Sequence, residues 1–156
     1  MSPTPAPIQT PTTAVQSALT LEMNITSPPA YAALHALLAA VQSAPAGHNP
    51  ITLALDTLRN VHFARFVFLN NNTQLAVITT YDGTFEAYIN EFIDAIGDIF
   101  NQLLARMDPA PPLPVQKNRD EFLAYVSAND IPCVGTLYSA YPTATVLDIQ
   151  TALSPS

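Results

Sequence analysis

The distribution of proline limits how this chain can fold more than any other feature. Fifteen of its 156 residues are proline, yet none lies within residues 59–108. Proline lacks a backbone N–H group and has a fixed φ angle, so it is disfavoured in central strands and helix interiors. Continuous strands and a long helix are therefore expected within residues 59–108, and the prolines elsewhere are expected to mark ends and connectors.

The proline-free region has the pattern of a β-hairpin followed by a long helix. Residues 61–69 are aromatic or β-branched almost throughout, which is typical of a strand buried on both faces. Residues 70–73 predict a turn, because Asn tolerates the left-handed backbone conformation, and residues 75–81 predict the return strand. Apolar side chains then recur at helical spacing from Phe85 to Met107.

The flanking residues complete the pattern of a split β-α-β fold. Alternating apolar and polar residues predict a first strand over 19–26, and Ser27 then begins a helix that continues to Val41. A last strand is predicted over 133–141. Shorter accessory helices are predicted to begin at Asn49, Asn118 and Thr145. Without them, the order of elements predicts an α+β, ferredoxin-like split β-α-β antiparallel sheet with its helices on one face.

The proline pattern also suggests where the domain begins. We expect one domain, residues 18–156, preceded by a mobile tail, residues 1–17. The tail offers too little large apolar surface to offset the entropy lost on ordering. Its prolines are Pro3, Pro5, Pro7 and Pro11.

Composition narrows the classes of partner. Hydrophobic residues make up 49% of the chain and charged residues only 11%. Because the hairpin is apolar on both faces and the helices cover one of them, we expect a homodimer or higher homo-oligomer that buries the open face. The net charge of −7 would repel a polyphosphate backbone, so nucleic acid is not an expected partner.

Several features argue against secretion and membrane insertion. No Lys or Arg precedes Arg59, so no secretory or transit signal is expected and we interpret the protein as cytoplasmic. The most apolar run, residues 30–41, is shorter than the ~20 residues that span a bilayer. The single cysteine, Cys133, excludes an intramolecular disulfide and a multi-cysteine zinc site, and we expect it to be buried and inert.

His62 and Asp82 are the candidate catalytic residues. Matching the apolar positions of the hairpin places Leu69 opposite Leu75 and, further along, His62 opposite Asp82. A carboxylate that accepts a hydrogen bond from one ring nitrogen would orient His62 as a general base. In the alternative interpretation, Asp82 caps the long helix that begins near Thr84, and His62 is a satisfied histidine at the sheet edge.

Arg65 is a candidate ligand-binding residue on the other face of the hairpin. The same register places Arg65 opposite Thr79, and Phe63 opposite Tyr81. A guanidinium among Phe, Val and Leu side chains cannot stay unpaired without a cost of several kcal/mol. Its partner is expected to be Glu22, a carboxylate of a partner subunit, or an anionic ligand. In the last case Thr79 and Tyr81 belong to the same binding site.

Tyr138 and Tyr141 complete the ligand-binding candidates. Like Tyr81, they lie at or near predicted strand ends and could present hydroxyl groups to a pocket. Core or interface positions are the alternative, since buried tyrosines often occur there.

No metal site is predicted, and the sequence does not indicate a cofactor. Glu91, Asp94 and Asp98 share one face of the long helix, but no histidine joins them, and a solvated polar face explains the stripe more simply. The nucleotide-binding and hydrolase motifs GxGxxG, Walker A, HExxH and G-x-S-x-G do not occur in the sequence.

Three short motifs carry a resemblance to a known group of proteins. Residues 61–66 (VHFARF), 80–83 (TYDG) and 138–142 (YSAYP) resemble, in this order, a widespread group of bacterial proteins without an assigned activity. The resemblance covers about residues 49–153. It implies a fold similar to the dimeric α+β barrels, a ferredoxin-like superfamily that includes small monooxygenases and haem proteins such as the dye-decolourising peroxidases. None of the haem ligands or catalytic residues of that superfamily is placed on this chain. The motifs imply that one constellation contains His62, Arg65, Tyr81, Asp82, Tyr138 and Tyr141.

Three classes of function follow from these expectations. The leading hypothesis is a dimeric domain that binds a small, partly apolar, anionic molecule in a sheet-face cavity, with Arg65 as the anion partner. The enzyme alternative is a cofactor-independent oxygenase or isomerase in which His62, oriented by Asp82, removes a proton from the substrate. The third is a structural or interaction protein whose open face is filled by the partner subunit.

Overall fold

The computed structural model describes residues 14–155. Its strands are β1 (Gln16–Asn24), β2 (Val61–Leu69) and β3 (Gln74–Asp82). Its α-helices are α1 (Pro28–Gln42), α2 (Pro50–Leu58), α3 (Phe85–Leu104), α4 (Arg119–Asn129) and α5 (Val146–Leu153), and a 3₁₀ turn lies at Val115–Lys117. Because β1 begins at Gln16, the domain starts earlier than predicted. The first thirteen residues of the expected tail lie outside the described residues.

The sheet has the strand order of a split β-α-β unit. β3 lies between β1 and β2 and is antiparallel to both. β1 and β2 are therefore parallel to each other, with α1 and α2 in the connection between them. This order confirms the predicted α+β class and its ferredoxin-like arrangement.

The core lies between one face of the sheet and three helices. Alternate residues of β1 and β3 point to this face, as the period of two along a strand requires. Among the described residues, no helix is long and apolar enough to cross a membrane. Fully buried core side chains include Met23, Leu34, Leu75, Tyr88, Phe100, Leu103, Phe122 and Val126.

The hairpin register differs from the prediction by one residue. Leu69 pairs with Gln74 rather than with Leu75, because Asn70, Asn71 and Asn72 all adopt left-handed φ angles of 53–63° and form a four-residue loop with Thr73. Arg65 consequently pairs with Ile78, and Phe63 with Thr80. The predicted pairs of Arg65 with Thr79 and of Phe63 with Tyr81 are wrong.

The predicted last strand does not form. Residues 131–142, which we call the strap, instead run antiparallel beside the outer edge of β1. The Ile131 N–H donates to the Thr20 carbonyl at 2.8 Å, and the Val15 N–H donates to the Pro142 carbonyl at 2.9 Å. These two backbone bonds fix the strap near its two ends.

The length of the strap explains why it does not pair with β1. Between the two fixed positions the chain along β1 advances by five residues, from Val15, which precedes the strand, to Thr20, whereas the strap advances by eleven, from Ile131 to Pro142. Strand pairing places one residue opposite one, so the surplus residues must leave the plane of the sheet. The positive φ of Gly135, 78°, also interrupts extended backbone.

The face of the sheet opposite the core, which we call the open face, carries a mixed surface. Val67 and Ile78 are half-buried there, Glu22 lies on the same face, and Phe63 and Arg65 are exposed. The strap and α5 close one end of this face.

Tyr88 gives the core a dependence on alkaline pH. Its hydroxyl donates to Thr79 Oγ1 at 3.2 Å, and its ring stacks on Tyr81 with centroids 4.1 Å apart. Burial raises the pKa of Tyr88 from 10.0 to about 12, because the phenolate would lose its hydration.

We expect Tyr88→Phe to flatten the loss of stability at high pH. The folded-state pKa lies above the unfolded one, so the stabilisation is complete below pH 10 and is lost as pH rises toward 12. Two pKa units correspond to about 2–3 kcal/mol of unfolding free energy. Denaturant titrations at several pH values measure this loss in both proteins, and identical slopes would contradict the assignment.

Candidate functional site

His62 and Asp82 form the predicted pair. The distance from His62 Nε2 to Asp82 Oδ1 is 2.6 Å, and the two side chains are 7% and 10% exposed. The strand register that predicted this pair is wrong, but a β-bulge at His62 still brings the two side chains together. Val61 pairs with Tyr81 and Phe63 with Thr80, so His62 is the extra residue of the bulge.

The second oxygen of Asp82 holds a helix. Asp82 Oδ2 accepts a hydrogen bond of 2.7 Å from the backbone N–H of Val146, the first residue of α5. The alternative in which Asp82 caps α3 is wrong, because Thr84 Oγ1 accepts from the Ala87 N–H and caps that helix. One carboxylate thus joins β2, β3 and α5.

The start of α5 is also fixed by its own capping box. Thr145 Oγ1 accepts from the Asp148 N–H at 3.1 Å, and Asp148 Oδ2 accepts from the Thr145 N–H at 3.0 Å. These bonds stabilise the carboxylate and lower the pKa of Asp148. α5 therefore has a defined start where it meets Asp82.

A cleft of about 660 Å³ lies between the end of the open face, the strap and α5. Three aromatic side chains in its lining, Phe63, Tyr138 and Tyr141, are 77%, 87% and 68% exposed. Exposed aromatic side chains gathered at one concave surface are typical of binding sites. The polar lining residues are Gln16, Asp56, His62, Thr80, Ser139 and Gln150.

His62 lines this cleft, and one of its ring nitrogens, Nδ1, is not used by the pair with Asp82. A carboxylate can only accept, so the proton of the neutral ring lies on Nε2 and the lone pair on Nδ1. No described residue hydrogen-bonds Nδ1. His62 can therefore accept a proton or a hydrogen bond from a molecule in the cleft.

The structure brings two of the predicted ligand-binding tyrosines to the cleft and leaves two other candidates away from it. Tyr138 and Tyr141 line it, together with His62. Thr79 and Tyr81 instead point to the core, because residues of odd number on β3 face the helices. Burial raises the pKa of Tyr81, and a hydrogen bond to Ser17 partly offsets this increase.

Arg65 lies outside the cleft, and its expected burial is wrong. It is exposed on the open face, one pleat beyond Phe63, because β2 is an edge strand that solvent reaches. Within residues 14–155, no carboxylate, including that of Glu22, lies within 4.0 Å of its guanidinium. Solvent can hydrate an exposed guanidinium, so the argument that Arg65 needs an anionic ligand does not hold.

The acidic stripe of α3 has structural partners. Asn60 Nδ2 donates to Glu91 at 2.6 Å, Gln116 Nε2 donates to Asp98 at 2.9 Å, and Asp94 forms an ion pair with Arg119. In the described part of the chain, no three His, Cys, Asp or Glu side chains form a group that could hold a metal ion.

Cys133 departs from its expected burial. It is exposed on the strap rather than buried in a strand, because the strand that would have buried it does not form.

Several residues of the cleft were not among the sequence candidates. Ile149 and Gln150 of α5 line it, and Gln150 Oε1 accepts from Arg59 Nε at 3.1 Å. The capping residues Thr145 and Asp148 predicted α5 itself, but no pattern indicated that this helix meets the hairpin.

Comparison with known proteins finds no match: no protein-family model, no curated protein and no solved structure is significantly similar to this chain. The resemblance of the three motifs to a bacterial group therefore stays a prediction.

We expect Asp82→Asn to break one of the two bonds of this carboxylate. An amide offers one oxygen, so it cannot accept from both His62 Nε2 and the Val146 N–H. Either the neutral ring moves its proton to Nδ1, or the Val146 amide loses protection against hydrogen exchange. In the second case the lost bond is worth about 1–3 kcal/mol.

Nitrogen-15 NMR measures the tautomer of His62 and the exchange rate of the Val146 amide. Asp56→Asn is the matched control, because Asp56 is the other carboxylate of the cleft and bonds neither group. An Asp82→Asn protein that keeps both bonds would contradict the bridging role.

Proposed function

We propose that this chain binds a small, partly apolar molecule in the cleft, with His62 as the polar group that fixes its orientation. The observation that carries the proposal is the gathering of Phe63, Tyr138 and Tyr141, all largely exposed, around the cleft that His62 lines. Ligand sites in proteins have volumes of roughly 300–1,000 Å³ and a few polar groups on an apolar lining. The volume of about 660 Å³ falls within that range.

The three aromatic residues favour a planar ligand. Aromatic pairs prefer offset-stacked or edge-to-face contacts, which contribute about 0.5–1.5 kcal/mol each beyond the area they bury. A flat ring system between Phe63 of β2 and the strap residues Tyr138 and Tyr141 would remove apolar surface from water on both sides of the cleft. The aromatic lining thus accounts for the apolar part of the ligand.

The polar residues of the lining indicate the polar part of the ligand. Asp56 is the carboxylate of the lining, whereas Arg65 lies outside the cleft. We therefore assign no role to Arg65 as an anion partner. A hydrogen-bond donor such as a phenol or an enol fits Nδ1 of His62, which carries the free lone pair.

We expect 2-naphthol, which combines a planar ring system with a phenolic donor, to bind the cleft. Tyr138→Ala should weaken binding about five- to tenfold through loss of one aromatic contact. Val134→Ala is the matched control, since Val134 is an exposed apolar residue of the same strap but does not line the cleft. Fluorescence titration measures the dissociation constants, and equal effects of the two variants would contradict the proposed site.

The 2.6 Å bond between His62 and Asp82 favours general-base catalysis as a second candidate function. Asp82 orients the ring, and Nδ1 would remove an acidic proton from a bound carbonyl compound. Incorporation of solvent deuterium into a bound ligand would be its signature. His62→Gln should abolish that exchange, whereas a pure binding site would show none in the unmodified protein.

We also propose that a second copy of the chain covers the open face. Val67 and Ile78 provide apolar surface there, and Glu22 and Arg65 lie on the two outer strands of the same face. A twofold axis parallel to β3 and between the two sheets would bring Arg65 of each copy toward Glu22 of the other.

A homodimer of this kind should be disrupted by Ile78→Arg, since Ile78 lies on the central strand and two apposed arginines would repel each other. Light scattering gives the mass of both proteins. Val134→Arg places the same charge away from the open face and should leave the mass unchanged. An unmodified protein with the mass of a single chain would contradict the dimer.

A further inference from the structure

We infer that the ligand of the cleft is a planar aromatic cation, which contacts the faces of the aromatic rings and pairs with the carboxylate of Asp56. This ligand class rests on the proposed function and deepens it, because it adds a charge to the planar shape of the ligand. Three features of the described residues support it: the charges of the lining, the position of Asp56 and the free faces of the rings.

With His62 neutral, the lining of the cleft carries one charge, and that charge is negative. Asp56 is the carboxylate, and no described Lys or Arg is part of the lining. A second carboxylate lies behind His62, since Asp82 Oδ1 is 2.6 Å from His62 Nε2. An anionic ligand would be repelled by both carboxylates, whereas a cationic ligand would be attracted by both.

Asp56 has no partner that would explain it as a structural residue. It lies in the last turn of α2, where the helix dipole disfavours a carboxylate, and that turn contains no basic residue. Arg59 follows the helix, but its Nε donates to Gln150 Oε1 at 3.1 Å. Within residues 14–155, no Lys, Arg or His side chain forms an ion pair with Asp56. A cation in the cleft would supply the missing partner.

The aromatic rings of the cleft have faces that no other ring covers. Phe63, Tyr138 and Tyr141 are largely exposed. In the described part of the chain, all contacts between aromatic rings join other residues, such as Tyr81 and Tyr88. The face of an aromatic ring is its negative side, and it attracts a cation that lies within about 6 Å of the ring centroid. The rings and Asp56 therefore favour the same kind of ligand.

A planar cation uses the rings and the carboxylate together. Its flat surface stacks on the exposed faces, and its positive charge is spread over the same ring system. A compact ammonium ion is strongly hydrated and would have to lose that water first. The ligand class is therefore the N-alkylated heteroaromatic cations, such as methylated quinolinium or pyridinium rings.

Two ligands of equal shape test the charge. The 1-methylquinolinium cation and 1-methylnaphthalene differ in one ring atom, which is a positive nitrogen in the first and a carbon in the second. In the Asp56→Asn protein, the cation should bind about fivefold more weakly, the factor for unit charges about 4 Å apart in water. The neutral compound should bind as it does to the unmodified protein. Fluorescence titration of the full chain in chloride-free buffer measures the dissociation constants.

Asp120→Asn is the matched control. Asp120 is an exposed carboxylate of α4 that does not line the cleft, so this variant changes the net charge of the chain equally. It should bind both ligands as the unmodified protein does. Sodium nitrate gives a second measurement, because it screens exposed charges. Added salt should weaken binding of the cation more in the unmodified protein than in the Asp56→Asn protein.

Several outcomes would overturn the ligand class. Asp56→Asn could affect both ligands equally, or Asp120→Asn could weaken the cation as much as Asp56→Asn does. If 2-naphthol binds and Asp56→Asn leaves binding of 1-methylquinolinium unchanged, the ligand class fails and the proposed function stands. If 2-naphthol does not bind, but the cation binds and depends on Asp56, the orienting role of His62 fails and the ligand class stands.

Discussion

The cleft depends on one carboxylate that bonds to two elements far apart in the chain. Asp82 ends β3, and its two oxygens accept from His62 on β2 and from the Val146 N–H at the start of α5. The two oxygens of a carboxylate accept hydrogen bonds from two directions, whereas an amide side chain of the same size has only one acceptor oxygen. Without this bridge, α5 would lose its link to the hairpin and His62 would lose the partner that sets its tautomer.

The strap supplies the other wall of the cleft because it cannot pair as a strand. Ile131 is bonded to Thr20 of β1, and Pro142 is bonded to Val15 just before that strand. Thr20 and Val15 are too close together for eleven residue steps of extended chain between Ile131 and Pro142. The surplus residues leave the sheet and bring Tyr138 and Tyr141 over its open face. A regular fourth strand would have filled the edge of the sheet and left no aromatic wall. The departure from the ferredoxin-like pattern is thus what creates the candidate site.

Local patterns in the sequence predict the elements and their order, but not the contacts that make the site. Helical and strand periodicity place α3, β2 and β3 correctly, since these periods come from the backbone itself. Strand register is not set by local patterns. The three left-handed Asn residues of the loop shift the pairing of β2 with β3 by one residue. The bulge at His62 shifts it again, and the His62–Asp82 pair forms because of that bulge. Exposure is not local either: the apolar neighbours of Arg65 in the sequence predict burial, but its strand lies at the edge of the sheet and the side chain is exposed. The meeting of α5 with Asp82 spans sixty-four positions, from 82 to 146, and no short pattern encodes it.

The exposed aromatic surface of the cleft is unfavourable in water, and a small molecule or a second copy of the chain could cover it. They differ in how their binding depends on concentration. A small molecule fills the cleft in proportion to its own concentration, and a second copy does so in proportion to that of the protein. Dilution of the protein at a fixed ligand concentration therefore distinguishes the two occupants, because it releases a second copy and leaves a small molecule bound.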